Sequence, residues 1–342
     1  MHDHHLGCLV VSIGNLTVGG TGKTPVVELF ARALRDGGRK VAILSRGYKS
    51  EKPPFKDRLR ARLTGNLLQI PPRVVSNGEE VLLDSRFAGD EPFMLARNLP
   101  GIPVIVDKDR VKSGLYAIKT HGVDTLLLDD GLQYLRLSHR LDIVLVDKTS
   151  PFGNEYMLPR GTLREPAKNL RRASYIFITK CDGESNDELV KRIRKYNRVA
   201  EIIECRHRPR YLENVITGEQ EPLEILNGAY VSTISGIAVP ESFENGLRKL
   251  GASLELTRRY TDHHRYEEGE IEEFIERSIN RAVDMIVTTE KDAVRFPQLE
   301  HSDVPIYLLR VEIEILSGEE PWRECVNRIC QPRHALAARR VY

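Results

Sequence analysis

Thr17-Val18-Gly19-Gly20-Thr21-Gly22-Lys23-Thr24 joins an apolar run, Cys8 to Ile13, to a stretch of helical periodicity that opens at Thr24. Gly19, Gly20 and Gly22 let the backbone turn so that successive N–H groups converge on an anion. Lys23 is then placed to bridge β- and γ-phosphates, and the Thr24 hydroxyl to ligate Mg²⁺. The start of a helix adds the positive end of its dipole. Thr17 stands where the pattern G-x-x-x-x-G-K-[ST] has its first glycine. A glycine-rich turn without a ligand has no need of Lys-Thr directly after the glycines, so residues 17–24 are expected to bind a nucleotide.

A phosphate loop needs a carboxylate at the end of a neighbouring strand to hold the hydrated metal. Thr125 to Gly131, TLLLDDG, fits: an apolar strand ending in Asp129 and Asp130. For Asp142 and Asp147, which bracket another strand, a structural role is the better reading. Asp90, in Gly89-Asp90-Glu91-Pro92, reads by itself as a helix cap. Adjacent His263 and His264 point to different sides of an extended chain and cannot readily share a metal, although one of them could exchange protons near neutral pH. Unaided, that segment reads as an exposed loop. Thr179-Lys180-Cys181-Asp182 is similar to the N/T-K-x-D element that reads guanine in some GTPases, and Thr289-Glu290-Lys291-Asp292 is similar to it; turns rich in capping groups are the preferred reading of both.

The elements that would position these residues alternate. Strands are expected at Cys8–Ile13, Val41–Leu44, Val104–Val106, Thr125–Leu128, Ile143–Val146, Tyr175–Thr179 and Glu201–Cys205, and helices over Thr24–Asp36 and Asp187–Tyr196. Residues 206–224 are polar with a Thr217-Gly218 turn signal and read as a linker hairpin. A second series follows, with strands at Tyr230–Ile234, Ser253–Leu256, Met285–Thr288 and Ile306–Leu309, a helix over Ser242–Leu250, and a helix turning Ile271, Phe274, Ile275 and Ile279 inward. The fold class expected is α/β: a P-loop NTPase-like, doubly wound parallel sheet over residues 1–205 and a smaller α/β domain over 225–310, with residues 311–342 packing back on the first. The tail after Gln331 is basic and expected to be loose.

The 342 residues suggest two domains at about 150 residues each. A net charge of +2, from 51 basic and 49 acidic residues, argues against nucleic acid as partner. The five scattered cysteines read as reduced thiols. No run reaches the roughly 18 apolar residues of a membrane span, and Leu9–Ile13 is too short for a signal-peptide core, so a chain that is not exported is expected.

Taken together, these segments resemble the tetraacyldisaccharide 4′-kinase family, the lipid A 4′-kinases of Gram-negative bacteria. The resemblance rests on SIGNLTVGGTGKTP (Ser12–Pro25), LSRGY (Leu44–Tyr48), GDEPFMLA (Gly89–Ala96), DDGLQ (Asp129–Gln133), LDIVLVD (Leu141–Asp147), PFGN with LPRGTLREP (Pro151–Pro166), DHHRY (Asp262–Tyr266) and TTEKDAVRF (Thr288–Phe296). These run in family order from residue 12 to about 310. It implies transfer of the ATP γ-phosphoryl group to the 4′-hydroxyl of tetraacyldisaccharide 1-phosphate, with ATP and Mg²⁺ required. Lys23 and Thr24 would serve the triphosphate and metal. Asp90 would be the catalytic base and His263 its dyad partner, which replaces the cap and loop readings above. Asp129, Asp130, Gln133 and Glu165 match positions around metal and γ-phosphate, and Arg110 a basic residue near the reacting groups.

The family usually begins with a longer hydrophobic or amphipathic stretch; here seven residues precede Cys8. Lys49–Arg73, rich in basic residues with interleaved leucines, is a candidate for contact with an anionic membrane, although a solvated loop is the preferred reading. Tyr134 stands where the family often has His. A monomer at the cytoplasmic face of the bacterial inner membrane, or in the cytoplasm, is expected. The competing reading is a nucleotide switch of the metal-chaperone or partitioning type, with Thr179–Asp182 reading guanine.

Overall fold

A computed structural model describes residues 4–47 and 71–331 of the chain. Tyr48, nearly all of the basic segment Lys49–Arg73 and the basic tail after Gln331 lie outside the described residues. The chain divides into two units: one runs to His207 and resumes at Ile313, and the other spans Arg208–Glu312.

The first unit is built on β1 (Leu9–Asn15), β2 (Val41–Ser45), β3 (Arg73–Ser76), β4 (Val104–Val106), β5 (Thr125–Asp129), β6 (Leu141–Asp147), β7 (Tyr175–Thr179) and β8 (Glu201–Asn214). Their order is β8-β7-β6-β1-β5-β2-β4-β3, parallel throughout except for β3 against β4. Every residue of β1, β2, β5 and β7 is buried, as a parallel sheet covered on both faces requires. Helices α1 (Lys23–Asp36), α2 (Ser85–Ala88), α3 (Asp90–Asn98), α4 (Arg110–His121) and α5 (Asp187–Arg194) supply that cover. In α1 the apolar face Val26, Phe30, Ala31 and Leu34 is buried, and the helix ends where Gly37 N–H returns to Ala33 O.

In the second unit β8 turns at 214–218 and pairs antiparallel with β9 (Gln220–Glu221), Leu212 facing Glu221. A parallel sheet follows in the order β11-β10-β12-β13, from β10 (Tyr230–Ser235), β11 (Ser253–Arg259), β12 (Met285–Thr289) and β13 (Ile306–Ser317). Its helices are α6 (Pro240–Lys249), α7 (Glu268–Ile279) and α8 (Glu290–Ala293). Ile271 and Phe274 of α7 point inward, but Ile279 does not: it is 42% exposed. Eight positions on from Ile271 lies about 80° round the helix, at the edge of the apolar stripe. β13 then returns the chain to the first unit, where α9 (Glu319–Cys330) sets Trp322 edge-on against Phe30 and Phe177. Among the described residues no helix is long and apolar enough to cross a membrane.

Parallel pairing aligns the carboxyl ends of β1, β5 and β2: Ile13 is in register with Asp129, and Leu128 with Leu44. This edge of the sheet is where ligands bind in open α/β folds.

Candidate active site

The loop after β1 has the geometry of an anion cradle. Gly19 and Gly22 adopt φ of 111° and 78°, and Gly22 leads directly into α1, which has no side-chain cap and no acid in its first turn. Its first N–H groups and dipole are thus left for an external anion. A Cβ on Gly19 or Gly20 would have nothing within 4 Å, so the loop borders open space. The loop is braced from below and from both sides. Asn15 Nδ2 donates to Thr17 O (2.8 Å), Val18 N to Thr162 O (2.8 Å) and Thr179 Oγ1 to Thr21 O (2.9 Å). Lys23 Nζ donates to Asn15 Oδ1 at 3.1 Å and lies 3.7 Å from Asp130 Oδ1; the Thr24 side chain is buried at the helix start.

Asp129 and Asp130 share a strand end but have different surroundings. Asp129 is 2% exposed; Oδ2 accepts from Ser45 Oγ at 2.8 Å, and buried Oδ1 has no hydrogen-bond partner among the described residues. Burial pushes its carboxyl up to about 7, the charges of Glu91 and Asp130 adding to this while Lys23 and the Ser45 hydrogen bond oppose it. Asp130, at φ 55°, accepts two hydrogen bonds from Arg164, of 2.7 and 2.8 Å. Burial would raise its pKa too, but the Arg164 hydrogen bonds and Lys23 outweigh burial and hold it below the usual carboxylate range.

Arg164 also donates from Nη2 to Asn15 O (3.1 Å) and Oδ1 (2.5 Å), so it ties the loop 151–165 to the end of β1. Next to it, Glu165 is engaged on both oxygens: Arg172 reaches both (2.9 and 2.7 Å), Gln133 Nε2 donates to Oε1 (2.9 Å) and Asn169 to Oε2 (2.6 Å). Gln133 Nε2 bonds Asn15 O as well, at 3.1 Å, while its buried Oε1 lacks a partner among the described residues. Orphaned buried atoms are rare in folded proteins and call for an explanation. Several of those among the described residues fall here, Thr21 Oγ1 in the loop and Asp129 Oδ1, Gln133 Oε1 and Arg164 Nε in the frame beside it, while others lie elsewhere in the chain. Among the described residues no group of three or more His, Cys, Asp or Glu could hold a metal alone. Asp129 Oδ1 and the Thr24 hydroxyl are hard oxygen ligands, which suit Mg²⁺ shared with phosphate oxygens.

Asp90 is not the cap that its sequence context suggests. Gly89, at φ 91°, holds the capping position; Asp90 is the first helical residue of α3 and is buried. The side-chain cap lies one short helix earlier, where Asp84 accepts from Arg86 N and Phe87 N. Arg110, at the start of α4, is 4% exposed, and Asp129 and Asp130 are near enough to act on its charge. Tyr134 holds it in two ways: the phenol oxygen accepts from Arg110 N (3.0 Å), and the guanidinium carbon stands 5.0 Å from the ring centroid.

Lys23, Thr24, Arg110, Asp129, Asp130, Gln133 and Glu165, with Asp90, thus come from the first unit. His263 belongs to the second, and it is not a free loop residue. Its Nδ1 lies 3.1 Å from Arg295 Nη2 and its Nε2 3.5 Å from Lys291 Nζ, whereas His264 diverges to Glu270 (2.9 Å) and stacks on Tyr260. Thr289–Asp292 is a capping turn, Thr289 Oγ1 accepting from Asp292 N. Sequence reasoning missed Asn15, Ser45 and Arg164. Arg164 sits inside the LREP segment beside Glu165, but its partner Asp130 is 34 positions away, beyond any local pattern.

Residues 1–331 match the tetraacyldisaccharide-1-P 4′-kinase family. The tetraacyldisaccharide 4′-kinase of Syntrophus aciditrophicus is 39% identical over 320 residues, covering 91% of this chain and 81% of that one. That of Anaeromyxobacter sp. strain K is 38% identical over 318 residues, with 92% and 80% covered. The crystal structure of Aquifex aeolicus LpxK in complex with ATP superposes with a TM-score of 0.73 at 27% identity, covering 97% of this chain and 91% of that one.

Proposed function

The chain belongs to the tetraacyldisaccharide-1-P 4′-kinase family, and on that premise we propose how its residues divide the work. The reaction is transfer of the γ-phosphoryl group of ATP to the 4′-hydroxyl of tetraacyldisaccharide 1-phosphate, a step of lipid A biosynthesis. The hydroxyl oxygen forms a bond to the γ-phosphorus, the bond to the β-phosphate oxygen breaks, ADP leaves, and the hydroxyl proton passes to a base.

The observation that carries the assignment is the uncapped start of α1 with Lys23 beside it and the unpartnered Asp129 Oδ1. The amides of residues 17–24 hold the polyphosphate. Lys23 neutralises charge between the β- and γ-phosphates, kept in place by Asn15 and Asp130. Asp129 and Thr24 are the residues that would hold Mg²⁺, which supplies charge neutralisation across the phosphate oxygens when bound. Asp130, gripped by Arg164, serves as counter-ion to Lys23, and Gln133 and Glu165 stiffen this frame. Arg110, whose buried Nε has no partner among the described residues, is assigned to the transferred phosphoryl group. Asp90 is assigned to take the proton, and His263 to the same acid–base step. Most of the rate should come from alignment and charge, since phosphoryl transfer leaves little covalent work to side chains.

The proposal includes a monomer in the cytoplasm or at the cytoplasmic face of the membrane, and a lipid acceptor favours peripheral contact with that membrane. Exposed Val81, Leu82 and Phe87 near Arg86 support such contact. A guanine-reading switch is not favoured: Asp182, the residue that would read the base, is tied to Lys148 and to Glu184 N–H. The test is an assay of γ-labelled ATP with tetraacyldisaccharide 1-phosphate. Label should appear in the lipid only when the acceptor is present; label released as phosphate at the same rate without acceptor would contradict the reading.

A further inference from the structure

The segment Thr288–Phe296 is left without a role by this reaction, yet its side chains are built into a closed network. Asp292 and Arg295 form an ion pair at 3.2 Å whose side chains are both wholly shielded from solvent. Asp292 Oδ1 also accepts from Gly236 N (2.9 Å) and Tyr266 OH (3.1 Å), and Oδ2 from Thr289 Oγ1 (2.6 Å). Arg295 Nη1 donates to Gly236 O at 3.0 Å. Desolvation offsets most of the attraction in a buried pair, so stability alone is a poor reason for one to exist.

Its other terminal nitrogen, Nη2, meets His263 Nδ1 at 3.1 Å. Guanidinium and ammonium both carry donors only, and a neutral imidazole can accept at just one nitrogen; the Arg295 contact, at 3.1 Å against 3.5 Å for Lys291, is the shorter, which makes Nδ1 the acceptor and leaves the single ring proton on Nε2. The backbone is fixed from the same point. His263 N donates to Gly236 O (3.2 Å), the carbonyl that also accepts from Arg295, and this holds His263 in the left-handed region at φ 69°. Gly236 permits the close approach: a Cβ there would lie 3.1–3.3 Å from Thr261 O, Tyr266 OH and Asp292 Oδ1. Around Nε2 stand Asp262 Oδ2 at 3.7 Å and Lys291 Nζ at 3.5 Å.

We propose that Asp292 and Arg295 are positioning residues for His263: they lock its ring as the Nε2–H tautomer and reserve that N–H for a carboxylate. The inference rests on the reading of His263 as a residue of the acid–base step. Lys291, fourth in the TTEKDAVRF run, flanks the same nitrogen and repels a second cation there.

Nitrogen-15 NMR of the full-length protein with labelled histidine, at about pH 8 where free imidazole is neutral, reads the tautomer without turnover. His263 is identified by the signals lost in His263→Gln. The wild type should show a protonated Nε2 and an unprotonated Nδ1. Arg295→Met should lose that preference and lower kcat roughly 10- to 100-fold with KM for ATP unchanged, and Arg295→Lys, which keeps a donor, should recover part of both. A proton on Nδ1 in the wild type overturns the proposal, as does an Arg295→Met variant whose tautomer is unchanged, whatever its activity. If Arg295→Met does not fold, the near-isosteric Asp292→Asn takes its place with the same readouts. A fully active His263→Gln beside the expected tautomer would remove His263 from the acid–base step and leave the positioning of the ring intact.

Discussion

Arg164 grips Asp130 with two parallel hydrogen bonds, Nη1 to Oδ2 at 2.7 Å and Nη2 to Oδ1 at 2.8 Å, while the adjacent Asp129 keeps one oxygen unpartnered among the described residues. Two neighbouring acids are thereby given different work. On the proposed division of work, Asp130 is the fixed counter-charge and Asp129 the residue that receives the cation.

Removing the grip should therefore disturb nucleotide handling. In Arg164→Met, Asp130 is released to pull Lys23 toward itself, and the frame around Asn15 loses two further hydrogen bonds. KM for ATP should rise and kcat fall, with kcat/KM down by about 100-fold or more, as for loss of charged hydrogen bonds in a preorganised site. Steady-state kinetics check this; Arg164→Lys should recover only a part, because it cannot make the forked contact.

Gly22 should tolerate no side chain. Alanine there would be held at φ 78°, which costs roughly 1–2 kcal/mol, and its Cβ would come within 2.6 Å of the His207 ring. Equilibrium unfolding should show Gly22→Ala destabilised by more than the dihedral cost alone. In a His207→Ala background the penalty should shrink toward that cost, a coupling that a double-mutant cycle measures.

The same histidine should make the protein sensitive to acid. Burial, helped by the positive charge of Lys180 and opposed by Asp147, lowers the His207 pKa from 6.5 to about 4. Between those values the unfolded chain binds a proton that the folded chain does not. Its contribution is thus complete above about 6.5 and lost as the pH falls toward 4. Urea midpoints measured at about pH 7 and about pH 5 should differ less in His207→Gln than in the wild type.

Tyr134 should act on the reaction through Arg110. Tyr134→Phe keeps the ring beneath the guanidinium but removes the oxygen that accepts from Arg110 N and donates to Asp109 Oδ1. Loss of about 1 kcal/mol of hydrogen bonding corresponds to roughly fivefold in kcat. Tyr134→Leu, which also removes the ring, should lose more, and KM for ATP should stay near the wild-type value in both.

The strands that carry the site were legible because each is a short apolar run bounded by turn residues, and α1 because its buried side chains recur at helical spacing. Other elements were hidden for physical reasons. The extension of β13 through Arg310–Ser317 was not among them, since apolar and charged residues alternate there as in a half-buried strand. The inner face of α4 includes Ser113, Gly114 and Ala117, too small to make a visible stripe; a Cβ on Gly114 would strike Leu6 at 2.5 Å. In the site, Lys23, Thr24 and Asp129 follow from local pattern. Arg164 and Arg295 act on partners 34 and 32 residues away, and only the folded chain brings them together.

Asp129 carries the proposed mechanism, because its oxygen left unpartnered among the described residues is assigned to the metal. Asn in its place preserves volume and the Ser45 contact, so single-turnover transfer of labelled phosphate by Asp129→Asn, at saturating ATP, Mg²⁺ and lipid acceptor, tests the assignment directly. The expected rate is at least about 100-fold below wild type and rises with added Mg²⁺ only at concentrations where the wild type is already saturated. Transfer at the wild-type rate with an unchanged Mg²⁺ dependence would contradict the assignment.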